Sequence, residues 1–247
     1  MKKNILYIAV LALLFSCNTP PESFQKAIKY MAGKEYDKAI ESFNLVKEEE
    51  KEWFDSAKAR KNISFALLIQ TNEWKKILRV VEKNKDDDEF FEYATDNIEK
   101  YLLEKSSSGK PDSTLFIIDQ FRSKLESLTD TNFTARIIAA AEDKLFTGVW
   151  HGEKSLKEQE IIFKRQGKSL DGLSNKSLNG WTENTIIYKN AIYQGNMVWK
   201  IHPKIFSYSY YGNSSTYYAK KGTLTIISKD TLLLDYETLG SSNRFHR

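Results

Sequence analysis

Few side chains in this chain are equipped for covalent chemistry. There is one cysteine, Cys17, and there are three histidines, His151, His202 and His246. The histidines lie far apart, and none has a ligand partner three or four residues away, so the spacing supports no zinc site. No Gly-x-Ser-x-Gly elbow is present, and no second thiol could act as a nucleophile. The acids beyond residue 147 are Glu153, Glu158, Glu160, Asp171, Glu183, Asp230, Asp235 and Glu237, and their spacing marks no glycosidase-type pair. The cluster Asp86-Asp87-Asp88-Glu89 lacks the spaced ligands and central glycine of a calcium loop. It reads instead as an acidic helix start, where carboxylates meet unpaired backbone amides. Ser106-Ser107-Ser108-Gly109-Lys110-Pro111 reads as a loop: it lacks the first glycine and the preceding strand of a phosphate loop, and proline follows its lysine. The chain is therefore expected not to be an enzyme, with no catalytic residue, no metal ligand and no cofactor.

Aromatic residues supply the candidates for binding. Phe206, Tyr208 and Tyr210 alternate along one segment, and alternation puts them on one face of a strand. Trp181 sits in a polar loop. Trp181, Tyr208 and Tyr210 are the candidate contacts for a sugar or another small apolar ligand. Cross-strand aromatic pairs are also ordinary sheet glue.

Residues Met1–Cys17 read as an export signal. Two lysines precede an apolar run from Ile5 to Phe15, too short to span about 30 Å of hydrocarbon as a permanent helix. The run ends in Leu14-Phe15-Ser16-Cys17, which resembles the lipobox of bacterial lipoproteins, although Phe15 is bulkier than that family prefers. The resemblance implies diacylglycerol transfer to the Cys17 sulfur, cleavage before Cys17 and acylation of the new amino group with a palmitate-type chain. Several acyl chains hold stably where one is marginal. Residues 18–22 form a short tether, stiffened by Pro20 and Pro21. The expected location is the bacterial cell envelope, on the periplasmic or cell-surface side of a membrane.

Charge and periodicity divide the remainder in two. Residues 18–146 carry 21 Lys and Arg against 25 Asp and Glu, and residues 147–247 carry 14 against 8. The basic half has no dense Lys/Arg runs, so no nucleic-acid partner is expected. Over residues 23–146 apolar residues recur at helical spacing, with helices expected over Ser113–Leu128 and Asn132–Phe146. Gly33-Lys34-Glu35-Tyr36-Asp37-Lys38-Ala39-Ile40-Glu41-Ser42-Phe43 resembles the tetratricopeptide repeat, whose second helix opens on Tyr, carries a small residue three later and an aromatic four after that. Tyr36, Ala39 and Phe43 match those positions; Trp74, Ile77 and Val81 give a weaker copy 38 residues on, with Ala59, Ile63, Ala66 and Leu67 on its first helix. The resemblance implies helical hairpins that dock a protein partner, with Tyr36 and Phe43 as partner-binding candidates.

Over residues 147–247 short β-branched and aromatic runs alternate with turns, and ten strands are expected, the last ending near Thr238. Gly148-Val149-Trp150 resembles the start of lipocalin-like domains. There a tryptophan on the first strand closes one end of the barrel beneath a basic residue near the last strand, and Arg244 and Arg247 are candidates for that place. The resemblance implies a cup for a small apolar ligand. The expected fold class is thus α+β in two modules, a tetratricopeptide-like array of antiparallel helical hairpins followed by a small antiparallel β barrel or curved sheet. The expected function is that of a membrane-anchored, non-catalytic binding or scaffold protein. The alternative is a carrier of a lipid, glycan or other small ligand.

Overall fold

The computed structural model describes residues 19–130, 132–153, 158–177, 183–208, 214–218, 221–236 and 241–247. Among the described residues seven helices precede the strands: α1 Glu22–Ala32, α2 Tyr36–Phe43, α3 Lys51–Gln70, α4 Trp74–Lys83, α5 Asp88–Ser107, α6 Pro111–Leu128 and α7 Phe133–Leu145. Nine described strands follow: β1 Trp150–Gly152, β2 Glu160–Gln166, β3 Ser169–Ser174, β4 Ile186–Gly195, β5 Val198–Tyr208, β6 Ser214–Tyr218, β7 Gly222–Ser228, β8 Thr231–Tyr236 and β9 Ser241–His246. None of the described helices is long and apolar enough to cross a membrane.

The chain forms two compact units that meet at Asn97/Ile98, within α5. In the first, two helical hairpins use one turn twice. Lys34 and Asn72 take left-handed backbone (φ 63° and 58°), Glu35 and Glu73 follow as N-caps, and Tyr36 and Trp74 open the second helices. Glu35 pairs with Lys38 and Glu73 with Lys76 at the same step. Ala39 is fully buried where α1 and α2 meet, since only a small side chain lets helix axes approach closely. Phe24 anchors this core, edge-on to Phe43 at 5.6 Å and to Trp53 at 5.1 Å. The acidic cluster does start a helix: Asp87 Oδ1 accepts from the Phe90 amide, and its Oδ2 accepts from Lys61 Nζ at 2.7 Å. Burial would raise the Asp87 pKa, but the Lys61 and Phe90 bonds outweigh it and the net shift is downward. The Lys61 pKa is lowered, with burial the largest cause.

Ile63 and Leu67 lie on α3 as expected, and they are 51% and 39% exposed, while Lys61, Ser64, Phe65 and Leu68 are buried. The polar members are satisfied where they lie: Lys61 finds Asp87, and Ser64 Oγ donates to the Arg60 carbonyl at 2.8 Å. A helix can bury polar groups whose partners are in reach, and periodicity alone does not reveal those partners.

In the second unit the antiparallel strands close into an eight-stranded barrel of order β1-β2-β3-β4-β5-β7-β8-β9, with β9 returning to β1. β6 pairs with the far half of β5, beyond the barrel wall. Alternation places Trp150, Ile161, Trp199, Ile201, Leu224, Leu234 and Phe245 inward, each at most 2% exposed. Trp150 opens β1, and the Arg247 guanidinium lies 4.9 Å from its ring centroid, so Arg247 rather than Arg244 covers it. Gly148 adopts φ +102°, and a Cβ there would approach the Arg247 side chain to 3.3 Å, so the glycine of Gly-x-Trp has a steric reason.

The strand count differs from ten because two pairs of expected strands are continuous. β4 runs through a bulge at Asn190 (φ 55°), whose amide donates to the buried carboxylate of Asp171 at 2.8 Å. β5 is one strand across His202 and Pro203. One strand, β9, was not expected at all. Secondary structure changes from helix to strand after Phe146, yet Leu115 of α6 and Ala141 and Leu145 of α7 share the hydrophobic core of the barrel.

Candidate functional site

The turns β2–β3, β4–β5 and β7–β8 and the start of β1 all lie at one end of the barrel, as an antiparallel meander requires. The α6–α7 hairpin packs across that end. Phe146 is 4.7 Å from Phe163 and 4.9 Å from Trp199, centroid to centroid. Polar bonds fix the helices at three points. Trp199 Nε1 donates to Glu142 Oε1 at 2.7 Å, buried. Arg165 donates to Glu142 Oε2 at 2.9 Å, to Asp143 at 2.7 Å and to the Ala139 carbonyl at 2.9 Å. Asp119 of α6 accepts from the Tyr193 hydroxyl at 2.6 Å and from the Asn196 amide at 2.8 Å.

Burial in this contact shifts the titration of Glu142 and Tyr193. Burial pushes the Glu142 carboxyl up from its ordinary value, and the bonds from Arg165 and Trp199 oppose the shift without cancelling it. Burial, then the bond to Asp119, drives the Tyr193 hydroxyl above its ordinary range. Arg136 braces the base of α7 through two bonds to Glu99 and two to Asp130, which raise its pKa.

At the other end of α7 lies a cleft of about 630 Å³, a volume typical of small-molecule sites. Its walls come from the start of α6, the end of α7, the turn after β4, the end of β7 and the chain terminus. Apolar lining comes from Pro111, Leu145, Met197, Ile226 and Ile227. Lys144, Lys229 and Arg247 supply positive charge against Asp112. Arg247 is held in place by donating to the Thr147 carbonyl at 2.9 Å, to the Leu145 carbonyl at 3.2 Å and to the Lys229 carbonyl.

Of the residues singled out from sequence, Arg247 lines this cleft. Cys17, Trp181 and Tyr210 lie outside the described residues. Tyr208 is the last residue of β5, and its backbone pairs with Ser214 of β6. Tyr36 is half-buried, and Phe43 is 3% exposed inside the first helical core, where its ring offers no surface to a partner. Among the described residues no group of three or more His, Cys, Asp or Glu side chains could hold a metal ion. Sequence reasoning passed over Asp119, Glu142, Lys144, Arg165 and Lys229, because each sits among residues that read as ordinary helix surface, strand end or turn. Only the distances across the fold, 74 residues from Asp119 to Tyr193 and 57 from Glu142 to Trp199, reveal the first two. No family model matches the chain, and no curated protein or solved structure matches it.

Proposed function

We infer that this protein is a membrane-anchored lipoprotein of a bacterial cell envelope and acts as a non-catalytic binding or scaffold protein whose helical half docks a protein partner. The observation that carries this reading is the outward face of α3. Ile63 and Leu67, one helical turn apart, remain exposed on a unit built from two stacked hairpins. The repeated turn before Tyr36 and Trp74 supports a tetratricopeptide-like array, a construction that presents extended surfaces to peptides and protein segments. The basic start, short apolar core and Leu14-Phe15-Ser16-Cys17 support the anchor.

A photo-crosslinker at position 63 of the full-length protein in its native membranes tests the docking surface. A discrete crosslinked protein that disappears when Leu67→Asp is added is the expected outcome, and an empty lane at position 63 would overturn it. In the same membranes Cys17→Ala should release the protein to the soluble fraction; retention of a cleaved form would sink the anchor.

The second reading is a carrier, favoured by the closed barrel and by Arg247 stacked over Trp150 as in lipocalin-like domains. In that reading the end of the barrel opposite the α6–α7 hairpin receives a small lipid or glycan.

A further inference from the structure

The cleft at the helix-covered end joins two kinds of chemistry in one space. Its floor is apolar: Leu145 and Ile226 are each 7% exposed, and Met197 packs against the same core. Ile227, in the same lining, leaves 54% of its surface exposed on a strand whose other face is buried. The rim is cationic, with Lys144 in the last turn of α7 and Lys229 in the β7–β8 turn. Arg247 is occupied by three carbonyls and the Trp150 ring. Lys229 is 87% exposed and only 3.7 Å from Asp230, so it can swing toward an incoming anion at little cost. Against Lys144, Lys229 and Arg247 stand the lining acid Asp112 and, beside Lys229 and Arg247, Asp230, so the rim stays net positive.

An apolar floor would take a neutral hydrophobe, and a cationic rim alone would take any anion. Together they select a molecule that has both parts. We propose that this cleft binds an anionic amphiphile, its apolar chain laid on Leu145, Met197, Ile226 and Ile227 and its carboxylate or phosphate head held by Lys144 and Lys229. The site is on the opposite end of the barrel from the cup of the carrier reading, and it is independent of a partner on α3.

The test uses the 18–247 chain, which retains every described residue. Decanoate, decyl phosphate, decanol and inorganic phosphate are titrated calorimetrically, with methyl resonances followed by NMR. Both anionic amphiphiles should bind and shift the Met197, Ile226 and Ile227 methyls; the tighter of the two identifies the head, carboxylate or phosphate. Decanol should bind about tenfold more weakly, and inorganic phosphate should not bind measurably. Lys144→Gln with Lys229→Gln should weaken decanoate about tenfold and leave decanol unchanged. Ile227→Asn should weaken both decanoate and decanol. Decanol matching decanoate, inorganic phosphate matching decyl phosphate, or shifts confined to Leu173 near the end of β3 and Ile187 near the start of β4, at the opposite end of the barrel, would each overturn the assignment, as would the absence of binding.

Discussion

Glu142 lies in the alanine-rich run Ala139-Ala140-Ala141, where a carboxylate reads as helix surface, yet it is 3% exposed. Its neighbours explain why it is tolerated: Trp199 and Arg165 supply two donors to the two carboxylate oxygens. Glu142→Ala should cost about 2–4 kcal/mol in urea unfolding, because it strands a buried indole N–H and removes the acceptor of a part-buried guanidinium. The pH dependence carries a definite sign. Burial raises the folded pKa above 4.5, so the folded chain holds a proton that the unfolded chain has released. The stability linked to Glu142 is therefore whole below 4.5 and is lost as pH rises through the raised value. Relative to Glu142→Gln, the native protein should lose urea stability over the interval that opens at pH 4.5 and runs up through the raised value. A difference that stays constant across that interval would refute the link. Arg247 was legible as one of two candidates because the Gly148-Val149-Trp150 pattern calls for a basic group near the chain end. Nothing in the spacing separated it from Arg244, since only the register of β9 decides which side chain turns toward Trp150.

At the level of elements, local pattern located the helices well and the strands unevenly. The Tyr36 and Trp74 positions open helices because backbone chemistry is local there, with a left-handed residue two before each aromatic; Pro111, read as the end of a loop, is instead the first residue of α6, where its missing N–H costs nothing. β9 was invisible because Ser241-Ser242-Asn243-Arg244 has almost no strand propensity. It forms because β1 and β8 each offer an open ladder of hydrogen bonds. The apparent gap in β4 is a bulge held by Asp171, a partner 19 residues away. Within β3, Gly172 stands opposite Tyr188, where a Cβ would come within 2.7 Å of the tyrosine ring and 3.2 Å of Phe163. Gly172→Ala should therefore destabilise the barrel by about 1–3 kcal/mol, read as a lower denaturant midpoint with an unchanged slope. A neutral or stabilised variant would show that Tyr188 can move aside freely.

The largest difference between pattern and packing is in what counts as a folding unit. Composition changes at about residue 147, but compactness changes at Asn97/Ile98. The chain from Thr147 onward would lack Phe146 and the buried faces of α6 and α7, including Leu115, Ala141 and Leu145. At about 1.5–3 kcal/mol for each large buried side chain, that loss is on the order of 5 kcal/mol, comparable to the whole stability of a domain. The 98–247 segment should unfold cooperatively with a near-UV signal from its packed tryptophans, whereas 147–247 should show strand content without a cooperative transition. Cooperative unfolding of 147–247 alone would mean that the helices merely decorate a self-sufficient barrel.

The sequence by itself determined the division into a helical and a strand-rich half and the aromatic that opens each second helix. These are properties of neighbours a few residues apart, written in period, charge and turn chemistry. Tertiary structure alone decided that the barrel closes, that α6 and α7 belong to it, and that Ile63 and Leu67 face outward. It also decided that Lys144 and Lys229 share one cleft. Each of these depends on which groups meet across scores of residues of chain, where burial and hydrogen-bond satisfaction outweigh local preference.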